Sequence, residues 1–199
     1  MMFRRLLTVL LVFWGLATTS VQARDGVERS TDTETGLQRW IFRRPGFELT
    51  LAQRTPDQTR AFFLARGFDR AIADEIATAC VFQTIAKNLS DASDAPALTI
   101  RLSEWRVMIK GKQRPLKLKS EWAKEWRNRK ASKAARLAFR WATFPDEQTF
   151  YPRGDYNWGM ISFNLPPGTR FDLLLSWHER QQHRQGIIKG LVCPEDRTE

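Results

Sequence analysis

The feature that most constrains the fold is the period-two spacing of apolar residues in the second half of the chain. Apolar side chains alternate with polar ones in several runs: Leu98, Ile100 and Leu102; Trp105, Val107 and Ile109; Ile161, Phe163 and Leu165; and Phe171, Leu173, Leu175 and Trp177. Alternation places one set of side chains on one face of a β-strand. Turn signals such as Pro166-Pro167-Gly168 separate the runs. This half of the chain therefore predicts several short antiparallel strands.

The first half of the chain predicts a hairpin followed by a small helical insert. Residues 38–52 read as two strands around a turn. Thr55 and Gln58 form a capping box, which predicts the start of a helix, and Asp69 can cap a second helix. We expect helices near 56–80 and near 120–134. A further strand is expected at Leu137, Phe139 and Trp141, which alternate.

This order of elements predicts a mainly β domain with a small helical insert. Many short strands separated by turns are typical of a single β-sandwich-type domain, here residues 37–199. An immunoglobulin-like arrangement serves only as an analogy at the level of the fold. The polar residues 24–36 predict a flexible lead before this domain.

Residues 1–23 have the pattern of a signal peptide. Arg4 and Arg5 precede a short apolar run, and Val21-Gln22-Ala23 resembles a cleavage site. The run is shorter than the ~20 apolar residues of a spanning helix, and no later segment is apolar enough to span. We expect export to the periplasm or the medium, with no transmembrane segment after cleavage. A retained N-terminal anchor is the alternative.

The chain contains two cysteines, Cys80 and Cys193. An exported chain meets an oxidising compartment, which favours a disulfide between them. Cys80 follows Ile72 and Ile76 at intervals of four residues, and this spacing predicts that it lies on the inner face of a helix. Two buried free thiols, or one reactive thiol, are the alternatives. The cysteine spacing does not suggest a metal site.

Positive charge is concentrated between Lys110 and Arg140. This segment has twelve basic and two acidic residues, a net charge of +10, whereas the rest of the chain after the signal peptide is near −2. Basic side chains beside tryptophan suit contact with anionic groups. The residues predicted to contact an anionic partner are Lys124, Arg127, Arg129, Lys130, Lys133, Trp122 and Trp126.

The compartment narrows the kind of anionic partner. Basic and aromatic side chains also suit nucleic acid, but export disfavours that partner. Lipid head groups, acidic polysaccharide or an acidic protein of the cell envelope fit an exported chain better. The alternative is a solvated basic helix whose tryptophan pair only caps the sheet.

The stretch RGDYNWGM, residues 153–160, is a candidate binding or catalytic loop. It offers Asp155, Tyr156 and Trp158 between two glycines. Gly154 and Gly159 are expected to let the chain turn sharply into the next strand. Trp158 is interpreted as a packing anchor of that turn.

His178 and His183 lie in the sequence HERQQH, which is one residue longer than a zinc-protease motif. Side chains five residues apart point about 140° apart around a helix, so a helical metal site is excluded. A loop or strand ends would permit one, but no third ligand is evident. We interpret both histidines as solvated residues of a polar turn and expect no metal and no cofactor.

The motifs for nucleophilic hydrolysis and nucleotide binding, such as G-x-S-x-G and the P-loop, do not occur in the chain. We assign no catalytic residues and expect a non-enzymatic accessory or binding protein of the cell envelope. One alternative is a small exported hydrolase or metal-handling protein that uses the 151–160 loop and His178. Another is a structural partner in a larger envelope complex.

Overall fold

The computed structural model describes residues 26–127, 129 and 131–196, so the predicted signal peptide lies outside the described residues. The strands are β1 Gly26–Thr31, β2 Gln38–Arg44, β3 Phe47–Gln53, β4 Val81–Asn88, β5 Leu98–Arg101, β6 Arg106–Ile109, β7 Lys112–Pro115, β8 Glu147–Phe150, β9 Tyr156–Ser162, β10 Arg170–Glu179 and β11 Gln182–Val192. The helices are α1 Pro56–Leu64, α2 Arg70–Ala77, α3 Lys119–Arg127 and α4 Lys133–Ala142, and Leu102–Glu104 forms a 3₁₀ turn.

The strands form two antiparallel sheets. The first sheet has the order β1-β2-β3-β4-β9, and the second has the order β7-β6-β10-β5-β8. Strand β11 also belongs to the second sheet. Both β11 and β5 pair with the last two residues of β10, His178 and Glu179, so β11 must lie along the edge of β10 opposite to β5. The prediction of a mainly β, single-domain sandwich is confirmed.

The inner faces of the two sheets enclose the main hydrophobic core. Phe42, Leu49 and Phe82 from the first sheet are fully buried, as is Leu173 from the second. Phe47 and Trp177 meet between the sheets with ring centroids 4.9 Å apart. Alternate residues of β2, β3 and β10 thus supply this core, as the period-two pattern requires.

A second core lies outside the first sheet, under the helices. Val81 of β4 and Met160 of β9 are buried there with apolar residues of the helices. The predicted capping box of α1 is present, since the Thr55 hydroxyl accepts a hydrogen bond from the Gln58 backbone amide and the Gln58 side-chain oxygen accepts one from the Thr55 backbone amide. Asp69 caps α2 through the amide of Ile72, which confirms the helices expected near 56–80.

Three boundaries differ from the sequence prediction. Gly26–Thr31, expected to be a flexible lead, is strand β1 and pairs with β2 over its whole length. The helix expected near 120–134 ends at Arg127. Residues 137–141, predicted as a strand, belong to α4, which Ser132 caps through the Ala135 amide.

Cys80 and Cys193 form the predicted disulfide, with Cα atoms 5.2 Å apart. Cys80 does not lie on the helix that contains Ile72 and Ile76, as the spacing suggested. It follows α2, has a positive φ of 57° and enters the core between the sheets. Because it precedes β4 and Cys193 follows β11, the bond ties the first sheet to the second.

Within the described ranges, the structure contains no helix that is both long enough and apolar enough to cross a membrane.

Replacing Cys80 and Cys193 together by alanine should lower the free energy of unfolding by about 4–5 kcal/mol, because the bond closes a long loop in the unfolded chain. Alanine avoids the buried, unpartnered hydroxyl that serine would introduce. Urea denaturation of the oxidised protein, the reduced protein and the variant measures the effect. Equal unfolding midpoints for all three would contradict it.

Candidate functional site

Trp122 and Trp126, predicted as contact residues, are core residues. They are 2% and 1% exposed. Trp126 packs edge-on against Phe139 of α4 with ring centroids 4.1 Å apart, and Trp122 lies beside Trp126 at 5.6 Å. These two side chains therefore offer a partner almost no surface, and the tryptophan pair instead holds α3 against α4.

The structure describes the side chains of three of the five predicted basic contact residues, namely Lys124, Arg129 and Lys133. Lys124 is exposed on α3. Arg129 is only partly exposed and makes an ion pair with Glu75, which raises the pKa of its guanidinium. The backbone of Arg127 ends α3, while its side chain and all of Lys130 lie outside the described residues.

A groove of about 470 Å³ between α3 and α4, here called the α3–α4 groove, brings other basic residues together. Its rim carries four basic side chains, those of Lys119, Lys133, Arg136 and Arg140. Of these, only Lys133 was in the predicted set. Arg136 and Arg140 lie one turn apart on α4, so they would have been found with Lys133 if residues 133–142 had been assigned to a helix. Lys119 lies at the start of α3 and joins them only through the fold.

The lining of the α3–α4 groove between these cations is apolar. Ala123, Trp126, Leu137 and Phe139 contribute to it. Leu137 is 46% exposed, which is unusual for a leucine on a helix that packs against a core. The groove thus combines a positively charged rim with an apolar lining.

Asp146 is the single acidic residue that lines the α3–α4 groove. Its carboxylate accepts hydrogen bonds from the backbone amides of Lys119 and Ser120, at 2.9 and 3.1 Å, and so caps α3. Burial lowers the pKa of the Lys119 ammonium group, and repulsion from Arg140 lowers it further. Attraction to the Asp146 carboxylate acts in the opposite direction but does not cancel the shift. Four basic side chains against this single carboxylate leave the groove with an excess of positive charge.

The 151–160 stretch is a turn followed by strand β9. Arg153 and Gly154 have positive φ angles of 74° and 78° and make the turn, as predicted for Gly154. The Asp155 carboxylate accepts a hydrogen bond from the Tyr151 amide at 2.9 Å. Gly159 is not a turn residue but lies within β9, where a Cβ would clash with the backbone of Phe144.

Trp158 is 56% exposed, so its interpretation as a packing anchor is wrong. Its cross-strand neighbour in β4 is Ile85, which is 40% exposed, and Thr50 and Ile41 continue the same row across β3 and β2. Tyr156, two residues before Trp158, is 61% exposed on the same face. The helices leave this part of the first sheet uncovered.

His178 and His183 lie directly opposite each other on β10 and β11. His178 Nε2 is 2.8 Å from Glu104 Oε2, and His183 Nε2 is 3.7 Å from the same oxygen. Partial burial opposes ionisation of Glu104, but hydrogen bonds from His178 and Ser176 outweigh it and lower the pKa of this carboxyl. Glu104 is a third potential metal ligand, which the sequence pattern did not reveal. We call Glu104, His178 and His183 the His–Glu cluster.

The 151–160 loop contributes no ligand to the group of potential metal ligands that contains His178. In the part of the chain that is described, the His–Glu cluster is the one group of three or more potential metal ligands, and Asp155 does not belong to it. The metal-handling alternative, in the form that combines His178 with a ligand from this loop, is therefore not supported by the described residues.

No family model, curated protein or solved structure matches this chain.

Trp126→Ala and Trp158→Ala should differ sharply in stability. Removal of the buried Trp126 ring should cost about 3–5 kcal/mol of unfolding free energy, whereas removal of the exposed Trp158 ring should cost no more than about 1 kcal/mol. Urea titrations followed by far-UV circular dichroism compare the two without relying on tryptophan fluorescence. A similar loss in both variants would mean that Trp158 is a structural anchor after all.

Proposed function

We propose that this chain is an exported, non-enzymatic binding protein of the cell envelope and that its α3–α4 groove holds an anionic lipid head group. The observation that carries the proposal is the combination of four basic side chains on the rim with an apolar lining between them. Phosphate or carboxylate oxygens would pair with the rim, and the adjoining apolar part of the lipid would contact Leu137 and Ala123.

The apolar lining favours a lipid over the other anionic partners. An acidic polysaccharide or an acidic protein surface needs cations but gains little from an exposed leucine at the centre of the contact. Transfer of apolar area from water contributes about 25 cal/mol per Å², so an amphiphile uses both parts of the groove. The exposed Leu137 and the cations Arg136 and Arg140 lie on the same helix, within two turns of each other.

The proposal also states that the chain is exported from the cytoplasm. It is supported by the charged, apolar and small-residue regions of residues 1–23. The disulfide between Cys80 and Cys193 agrees with it, because structural disulfides persist mainly in oxidising compartments.

Replacing Lys133, Arg136 and Arg140 together by glutamine should weaken binding to anionic vesicles. Each basic residue near an anionic membrane surface contributes about 1 kcal/mol, so the loss of three predicts roughly a 100-fold weaker association. Co-sedimentation with phosphatidylglycerol vesicles, with phosphatidylcholine vesicles as the neutral reference, measures it. Binding should also weaken from 0.1 M to 1 M salt, as the Debye length falls from about 10 to about 3 Å.

The matched control is the glutamine variant of Lys110, Lys112 and Arg114. These residues lie on the β6–β7 hairpin, outside the α3–α4 groove, and their replacement removes the same formal charge. A smaller loss in this control than in the groove variant supports the groove. Equal losses would indicate nonspecific attraction by net charge, and binding of soluble polyanions in preference to vesicles would favour a polysaccharide partner.

Leu137→Asn tests the apolar half of the α3–α4 groove. It removes apolar area without changing charge, and because Leu137 is nearly half exposed, the variant should fold normally. We expect weaker sedimentation with anionic vesicles but unchanged binding to soluble polyanions. Unchanged binding to both would remove the argument for a lipid.

A further inference from the structure

The His–Glu cluster has the form of a metal site whose ligands come from two separate parts of the chain. The two-residue turn of Arg180 and Gln181 joins β10 to β11 and sets His178 opposite His183. The two imidazole rings stack with centroids 4.9 Å apart. Glu104 approaches from the 3₁₀ turn between β5 and β6.

The donor atoms lie close to the separations that a metal ion requires. One ring nitrogen of His178, one ring nitrogen of His183 and a Glu104 carboxylate oxygen all lie within 4.8 Å of one another. A tetrahedral ion with bonds of about 2.1 Å holds its ligands about 3.4 Å apart. The distances of 2.8 and 3.7 Å from Glu104 Oε2 to the two imidazoles bracket this value, and the two histidine nitrogens lie no more than 4.8 Å apart, so a rearrangement of these side chains alone would complete the site.

The polypeptide around the cluster fixes the position of the ligands. The buried indole of Trp105 donates a hydrogen bond to the Ser176 carbonyl at 2.9 Å, which holds the 3₁₀ turn of Glu104 against β10. The Ser176 hydroxyl donates to Glu104 Oε2 at 3.1 Å. Hydrogen bonds of this kind to a ligating carboxylate are typical of metal sites.

We propose that Glu104, His178 and His183 bind one divalent transition metal ion, of which Zn²⁺ is the representative. Two imidazoles and one carboxylate suit zinc and similar ions, whereas Mg²⁺ and Ca²⁺ prefer sites made only of oxygen. Three protein ligands leave a fourth position for water or for a ligand. All three side chains are partly exposed, so an ion can enter from solvent. This inference is independent of the α3–α4 groove.

The test is titration of the metal-free full-length protein with Zn²⁺ by calorimetry, with Co²⁺ as a spectroscopic probe. We expect one equivalent to bind and the visible absorption of Co²⁺ to change from that of the hydrated ion to that of a four-coordinate site. Glu104→Gln and His183→Gln should each weaken binding at least about tenfold, since the loss even of residues that only orient ligands has effects of this size.

The matched control is Glu147→Gln. Glu147 pairs with Arg101, as Glu104 does, but it is not part of the His–Glu cluster, so this variant should bind Zn²⁺ as the wild type does. Circular dichroism checks that each variant is folded, and the Co²⁺ spectrum of the wild type reports on ligation without any variant. Failure of the wild type to bind either ion, or equal binding in all variants, would overturn the proposal.

Discussion

The rest of the structure depends on the paired segment of β4 and β9 around Val81 and Met160, where apolar side chains are buried on both faces of the first sheet. Phe82 and Ile161 point into the core between the sheets, while their neighbours Val81 and Met160 point out beneath the helices. Full burial of a large apolar side chain is worth about 1.5–3 kcal/mol, so both faces must be covered. The helices cover the outer face at this end, and the α3–α4 groove exists because α3 and α4 take part in that cover.

The sequence predicts the elements whose signals are local. Period-two alternation predicted the strands of the sandwich, and Thr55 with Gln58 predicted the start of α1, because each pattern lies within a few residues. The prediction failed at Leu137, Phe139 and Trp141, since five residues cannot distinguish alternation from the four-residue spacing of a helix. Of these three residues of α4, Leu137 and Trp141 share an exposed stripe, and only Phe139 faces the core.

The candidate sites could be predicted only in part, because both depend on contacts that are distant in sequence. The sequence predicts that Trp126 contacts an anionic partner together with nearby basic residues. Its neighbours along the chain do not reveal the Phe139 ring against which it packs. Glu104 and His178 are 74 positions apart in the sequence, so the third ligand becomes visible only when the 3₁₀ turn is placed beside β10. The net charge of residues 110–140 also overstates the positive charge available to a partner. Lys117 and Arg129 both make ion pairs with Glu75, an acidic residue outside that segment.

The unequal exposure of the tryptophans gives the folded protein two kinds of indole. Five of the seven between residues 26 and 196 are at most 3% exposed, namely Trp40, Trp105, Trp122, Trp126 and Trp177. The other two, Trp141 at 73% and Trp158 at 56%, face water. A water-soluble collisional quencher therefore reaches only these two of the seven. Trp141 stands one helical turn beyond Leu137, which lines the α3–α4 groove, although Trp141 itself is not part of the lining. A molecule in that groove that extends past Leu137 would shield this indole from the quencher.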